Sequence, residues 1–239
     1  MKCKLASLYR AAYKFFYKLL KEYFVKKYRS EMLEGACRGV AERAVECKRI
    51  VESAKHRLVL PLQHSFSDNN PVIAKYGCYF LCILFVGLVV KEIKDKVEKC
   101  FDKFEVDLLY KSFANAGGLG LREQNSYVED PGLILASLGL DEHLCYRSKH
   151  YEVSYEVEES DLVIGQYKDK ESDMYHFVVL GDSLGEVVWD SLGRSRAVEV
   201  GVLSSLRVFR ILDKSLVLGV RERLAFYKNE FRGLRAELA

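Results

Sequence analysis

The sequence predicts an α+β fold, helices first and antiparallel strands second, with one buried helix lying against the sheet. Three observations carry that reading. Up to about residue 140 the apolar residues recur every three or four positions, the period of an amphipathic helix. From residue 151 to residue 212 they alternate, the period of a half-buried strand. Finally, one continuous apolar run, Tyr76 to Val90, stands between Lys75 and Lys91. As a helix it reaches about 22 Å, short of the ~30 Å hydrocarbon core of a bilayer, so a core helix is expected and not a membrane span.

Composition sets the outer limits. The 239 residues are 49% hydrophobic and 30% charged with only 3 prolines, which excludes disorder, collagen and low complexity. A chain of this length buries roughly 70–75% of its unfolded surface and needs no disulfide or metal to fold. The 7 cysteines (3, 37, 47, 78, 82, 100 and 145) form no CxxC pairs and read as reduced thiols. The apolar positions after Met1 are broken by Lys4, Arg10, Lys14, Lys18 and Lys21, so no secretory signal is expected and a cytoplasmic location is.

In chain order, residues 4–28 place Leu5, Leu8, Ala12, Phe16, Leu19 and Tyr23 on one face with lysines opposite, an amphipathic helix. A second helix is expected over 30–55, weakened at its start by Gly35 and Gly39. Residues 1–56 are thus a helical extension, residues 57–213 the α+β domain, and residues 214–239 a C-terminal helix. The domain opens with an irregular stretch through Pro61, Ser67, Asp68, Asn69, Asn70 and Pro71. The apolar helix should run from Gly77 or Cys78 to about Phe101. A shorter helix from Val106 ends at Asn115-Ala116-Gly117-Gly118, a glycine C-cap, and Asp130-Pro131 starts another through Leu140. Strands are expected at Tyr151–Val157, Leu162–Tyr167, Tyr175–Gly181, Glu186–Asp190 and Leu206–Leu212, and a last helix at Arg221–Leu238.

The net charge of +3 is a cancellation. Residues 1–30 hold nine Lys or Arg against the single acid Glu22, a surplus of +8, and the rest of the chain sums to −5. The basic helix also carries eight Tyr or Phe, more than a solvated arm needs, so packing on its own chain or a subunit is favoured. An anionic membrane surface is the second reading, and nucleic acid the least favoured.

Chemistry points first to Cys78. At the start of a helix its thiol sits among unpaired backbone N–H groups at the positive end of the dipole, which favours the nucleophilic thiolate, and Gly77 permits the tight turn into the helix. The alternative is that Cys78 and Cys82, one turn apart, are small core residues. His176 opens an apolar strand and Asp190 closes the next one, as a base and its orienting carboxylate would. The two share a face only if opposed residue numbers sum to an even value, which requires a three-residue loop within 182–185 or a bulge. The histidines 56, 64, 143 and 150 have no metal-ligand spacing, and neither metal nor cofactor is expected.

This order, a Cys opening a buried helix, then a His on a strand and an Asp on the next, resembles the papain-like cysteine peptidases, in particular the compact bacterial branch of bacteriocin-leader peptidases. Through the run Gly77-Cys78-Tyr79 and Leu81-Cys82, the segment 58–213 also resembles an uncharacterised family of plasmid-borne, prophage-associated proteins of Lyme-disease spirochaetes. The papain-like resemblance implies Cys78 as nucleophile, His176 as general base and Asp190 as the residue that holds the imidazole, acting on a peptide or protein substrate. It implies an oxyanion hole of the Cys78 N–H and an upstream Gln. Gln63 is the only upstream Gln in the domain and stands fifteen residues before Cys78, so Asn69 and Asn70 are second choices. The double glycine at 117–118 is the kind of site after which leader peptidases cleave, although a helix cap is the simpler reading. Against the thiol hydrolase or acyltransferase stands a catalytically silent adaptor, in which bulky Tyr79-Phe80 closes off Cys78.

Overall fold

The computed structural model describes residues 60–237 apart from 98–99, 116–120, 123, 152–153, 173 and 182–183. All of these belong to one compact unit spanning His56–Ala239. The helices expected at 4–28 and 30–55, with their basic face, and the double glycine lie outside the described residues.

After a 3-10 turn at Gln63–Phe66 comes α1, Pro71–Tyr76. It replaces part of the expected irregular stretch. Asn70 caps it, accepting from the Ile73 N–H at 3.1 Å, and Pro71 occupies the first helical position, where no N–H is needed. Gly77 then turns the chain into α2, Cys78–Asp95, in which every residue from Phe80 to Val90 is buried. This helix stops before the expected Phe101 because Lys96 takes a left-handed conformation (φ 53°). The next helix, α3 (Lys103–Asn115), starts three residues before Val106. Asp102 and Glu105 cap each other reciprocally there, side chain to backbone N–H at 2.8 and 3.0 Å. Helix α4, Pro131–Ser137, is capped by Asp130 as its sequence suggests and ends ahead of Gly139 (φ 73°).

The sheet has five antiparallel strands in the order β1-β5-β2-β3-β4. They are β1 (Leu144–His150), β2 (Asp161–Lys168), β3 (Tyr175–Leu180), β4 (Val187–Asp190) and β5 (Val202–Ile211). The first strand therefore precedes the alternating stretch Tyr151–Val157. That alternation serves packing instead: Tyr155 and Val157 cover a small apolar cluster, and the Tyr155 hydroxyl donates to Asp161 at 2.5 Å. A short helix, α5 (Arg196–Val200), links β4 to β5.

Helix α2 lies on one face of the sheet, with Phe85 stacked on Trp189 of β4 at 4.9 Å. The last helix, α6 (Val217–Glu237), closes the same core through Val220, Leu224, Tyr227 and Phe231, with Tyr227 edge-on to Phe85 at 5.7 Å. A smaller cluster that includes Val163, Val178, Leu180 and Leu206 also takes in Ala197 of α5. Among the described residues no helix is long and apolar enough to cross a membrane.

Candidate active site

Cys78 is the first residue of α2 and is half-buried. Its position depends on Gly77, where a Cβ would stand 2.6 Å from the Ile73 carbonyl oxygen and 2.8 Å from Ile73 Cγ2. Only the absent side chain lets α1 run so directly into α2.

The hairpin of β3 and β4 decides the His–Asp geometry. Asp190 faces Val178 and Trp189 faces Val179, an even register, and a bulge then shifts Leu180 onto Val187. His176, two residues before Val178, is therefore diagonal to Asp190 on one face. The imidazole Nε2 stands 2.6 Å from Asp190 Oδ1, and the residues are 5% and 3% exposed, so water competes little for this bond. Asp190 is itself held by the Leu192 N–H at 2.9 Å, in a turn closed by the Gly193 N–H.

Strand β4 pairs with β3 only from Val178 onward, which leaves the edge of β3 at Tyr175–Phe177 without a strand partner on that side among the described residues. The first turns of α2 take the place. Cys82 donates its thiol to the Phe177 carbonyl at 3.4 Å, and burial raises the pKa of this thiol well above the ordinary range, so it stays protonated. One turn earlier, Cys78 stands beside the His176 ring, close enough to act on its charge. With Nε2 engaged by Asp190, Nδ1 is the nitrogen left for the sulfur. Burial works against a charge on this ring, but the hydrogen bond to Asp190 and the neighbouring Cys78 outweigh it and raise the His176 pKa to about 10.

Gln63 is drawn into the same place despite its distance in sequence. Its N–H donates to the Ser191 carbonyl at 2.6 Å and its Oε1 accepts from the Ser191 hydroxyl at 2.8 Å, which ties it to the residue after Asp190. Its Nε2 donates to the Ala74 carbonyl at 3.1 Å. In an unbroken helix that carbonyl would accept from the Cys78 N–H. Among the described residues the Cys78 N–H has no acceptor, and one Nε2 hydrogen of Gln63 has none either. Asn70, by contrast, is committed to capping α1 and to Asp107 at 2.7 Å, and Asn69 is exposed. Ser191 was not anticipated from sequence, where nothing but its place after Asp190 marks it.

Cys78 opens on a cleft of about 460 Å³ between the start of α2, residues 125–131 and the sheet. Its walls are aromatic, with Tyr76, Tyr127, Tyr146, Tyr175 and Phe177, and carry Lys75, Lys149 and Arg207. The pair Tyr79-Phe80 does not close it: Phe80 is fully buried in the core, and Tyr79 lies flat on Phe177 at 4.5 Å. Among the described residues no three His, Cys, Asp or Glu side chains converge on a metal position.

A family model described as a protein of unknown function, DUF261, matches residues 62–211, which span every residue of this arrangement. The chain belongs to DUF261. No curated protein and no solved structure matches it. In this DUF261 chain the matched segment starts one residue before Gln63 and ends at the last residue of β5, so the candidate site and the whole sheet lie within it, and α6 lies beyond it.

Proposed function

We propose that this DUF261 protein is a cysteine peptidase or related thiol hydrolase or acyltransferase with a papain-like fold, Cys78 being its nucleophile. The observation that carries the reading is the juxtaposition of Cys78, at the N-terminus of a buried helix and open to a cleft, with a buried His176 that is hydrogen-bonded to Asp190. A histidine whose pKa lies near 10 holds its proton through neutral pH, as an imidazolium between a carboxylate and a thiolate would.

In the reaction the Cys78 thiolate attacks an amide or ester carbonyl carbon. The developing oxyanion accepts from the Cys78 N–H and from the spare Gln63 Nε2 hydrogen, donors supplied without reorganisation because Ser191 already fixes Gln63. His176 gives its proton to the leaving amine or alcohol, and the C–N or C–O bond breaks to leave a thioester on Cys78. Water, or another nucleophile, then loses a proton to His176 and attacks the thioester, which releases the acid and restores the ion pair. Asp190 orients the imidazole and stabilises its charge throughout.

The substrate of this reading is a peptide or protein, the setting the cytoplasm, and the genetic origin a plasmid or prophage element of the spirochaete type that the sequence resembles.

The test is alkylation of Cys78 by iodoacetamide at pH 6–7, followed at its own peptide by mass spectrometry. We expect modification at least tenfold faster than at an ordinary thiol, a gain lost in His176→Ala and absent at Cys82. A Cys78 rate indifferent to His176→Ala overturns the reading. The adaptor alternative predicts that indifference.

A further inference from the structure

Arg207 stands in the middle of β5, 7% exposed, on the floor of the cleft into which Cys78 opens. A guanidinium in such a place needs a counter-charge, because burying an ion without one is costly. Among the described residues Arg207 has no carboxylate partner. Its hydrogen bonds all go to neutral groups: Nη1 to the Ser205 hydroxyl at 2.9 Å and the Leu206 carbonyl at 3.2 Å, and Nη2 to Gln166 Oε1 at 3.3 Å. Ser205 also donates to Gln166 Oε1 at 2.6 Å, so the acceptors are locked in place. The Nε–H and one Nη2–H are left over, two parallel donors of the kind that take a carboxylate side-on.

The surroundings agree. The guanidinium lies over Tyr79 and Phe177, at 5.8 and 5.4 Å from the ring centres, which holds its plane. The Tyr79 hydroxyl is buried beside the Arg207 guanidinium, its own hydrogen has no acceptor among the described residues, and burial raises its pKa so that it remains a donor. Lys75 and Lys149 add positive charge to the rim, while the one carboxylate of the lining, Glu129, is paired with Arg122.

We propose that Arg207 binds a carboxylate of the substrate, so that the cleft selects peptides bearing an acidic side chain or a free C-terminus near the bond that Cys78 attacks. This specificity rests on Cys78 being the nucleophile of the proposed function, and it deepens that reading. Tyr79 donates the second contact to the same carboxylate, and the aromatic walls accept the flanking apolar atoms.

The test uses the intact protein and N-(carboxyalkyl)maleimides of two to five methylenes beside their methyl esters, with Cys78 modification followed by peptide mass spectrometry. For at least one chain length the acid is expected to react about tenfold faster than the ester, with the advantage shrinking as salt is raised. Arg207→Gln should abolish the acid-to-ester advantage, which is read as a rate ratio within each variant, and Tyr79→Phe should reduce it a few-fold. Equal acid and ester rates in the wild type at every length overturn the proposal, and that comparison needs no folded variant. An advantage that survives Arg207→Gln also overturns it. His176→Ala reports separately: loss of the ester rate there supports the thiolate reading whatever the acid-to-ester ratio shows, and an unchanged ester rate removes that reading alone.

Discussion

His176 concentrates the energetics of the site in one ring. Its folded pKa of about 10 lies above the ~6.5 of an unfolded histidine, so protonation favours the folded state. The stabilisation is fully present below about pH 6.5 and is lost as pH rises through 10. In His176→Gln, which keeps a hydrogen-bond donor toward Asp190 but no charge, the protein should be less stable than wild type by about 2–4 kcal/mol at pH 6. The gap should narrow steadily toward pH 10–11. Urea unfolding at four pH values measures it, and a gap that widens with pH contradicts the imidazolium. Cys78, His176 and Asp190 were legible as residues because each stands at a punctuation point of a local pattern: a helix start, a strand start and a strand end. Arg207 was not. In a strand reading it is one polar residue between Leu206 and Val208, and only the packing of Tyr79 and Phe177 over it reveals a buried cation facing a cleft.

Among the elements, the junction of α1 and α2 has the greatest effect on the site. A Gly77→Ala change sets a methyl group against the Ile73 backbone, which must move or push the first turn of α2 aside. We expect a loss of about 1–3 kcal/mol in a urea titration. Cys78 alkylation should slow as well, since the thiol then shifts relative to His176. Wild-type stability and reactivity in the Gly77→Ala protein would mean that the junction has slack. The buried helix and the strands β2 to β4 fall within a residue or two of their expected starts, whereas β5 and α6 each begin four residues earlier than expected. The two shortest helices, α1 and α5, were not readable. Six residues in α1 and five in α5 complete fewer than two turns, too few to establish a periodicity. The segment 151–157 misled for the opposite reason, since strand-like alternation is also what a chain shows when it lays two side chains onto an apolar cluster without pairing.

For the whole molecule, α6 is bound to α2 by more than apolar contact. Glu92, 2% exposed, lies 2.9 Å from Arg223 Nη2 and accepts from the Tyr227 hydroxyl at 2.9 Å. Its removal leaves a cation against a closed core. Glu92→Gln should cost about 3 kcal/mol and Tyr227→Phe about 1, both as shifts of a single cooperative urea transition. A separate early transition for α6 would show instead that the last helix is an appendage, as its separate place in the sequence suggests. The sequence by itself determined the class of fold, the buried helix, the places of β2 to β4 along the chain, and which Cys, His and Asp had to be asked about. These depend on periodicity and on local signals at element ends, which neighbouring residues carry between them. Tertiary structure alone decided that a bulge puts His176 and Asp190 on one face, that Gln63 returns across fifteen residues to the start of α2, and that Arg207 has no counter-ion among the described residues. Each of those depends on which distant backbone stands alongside, and hydrogen-bond partners separated by 14 to 128 residues leave no period in a sequence.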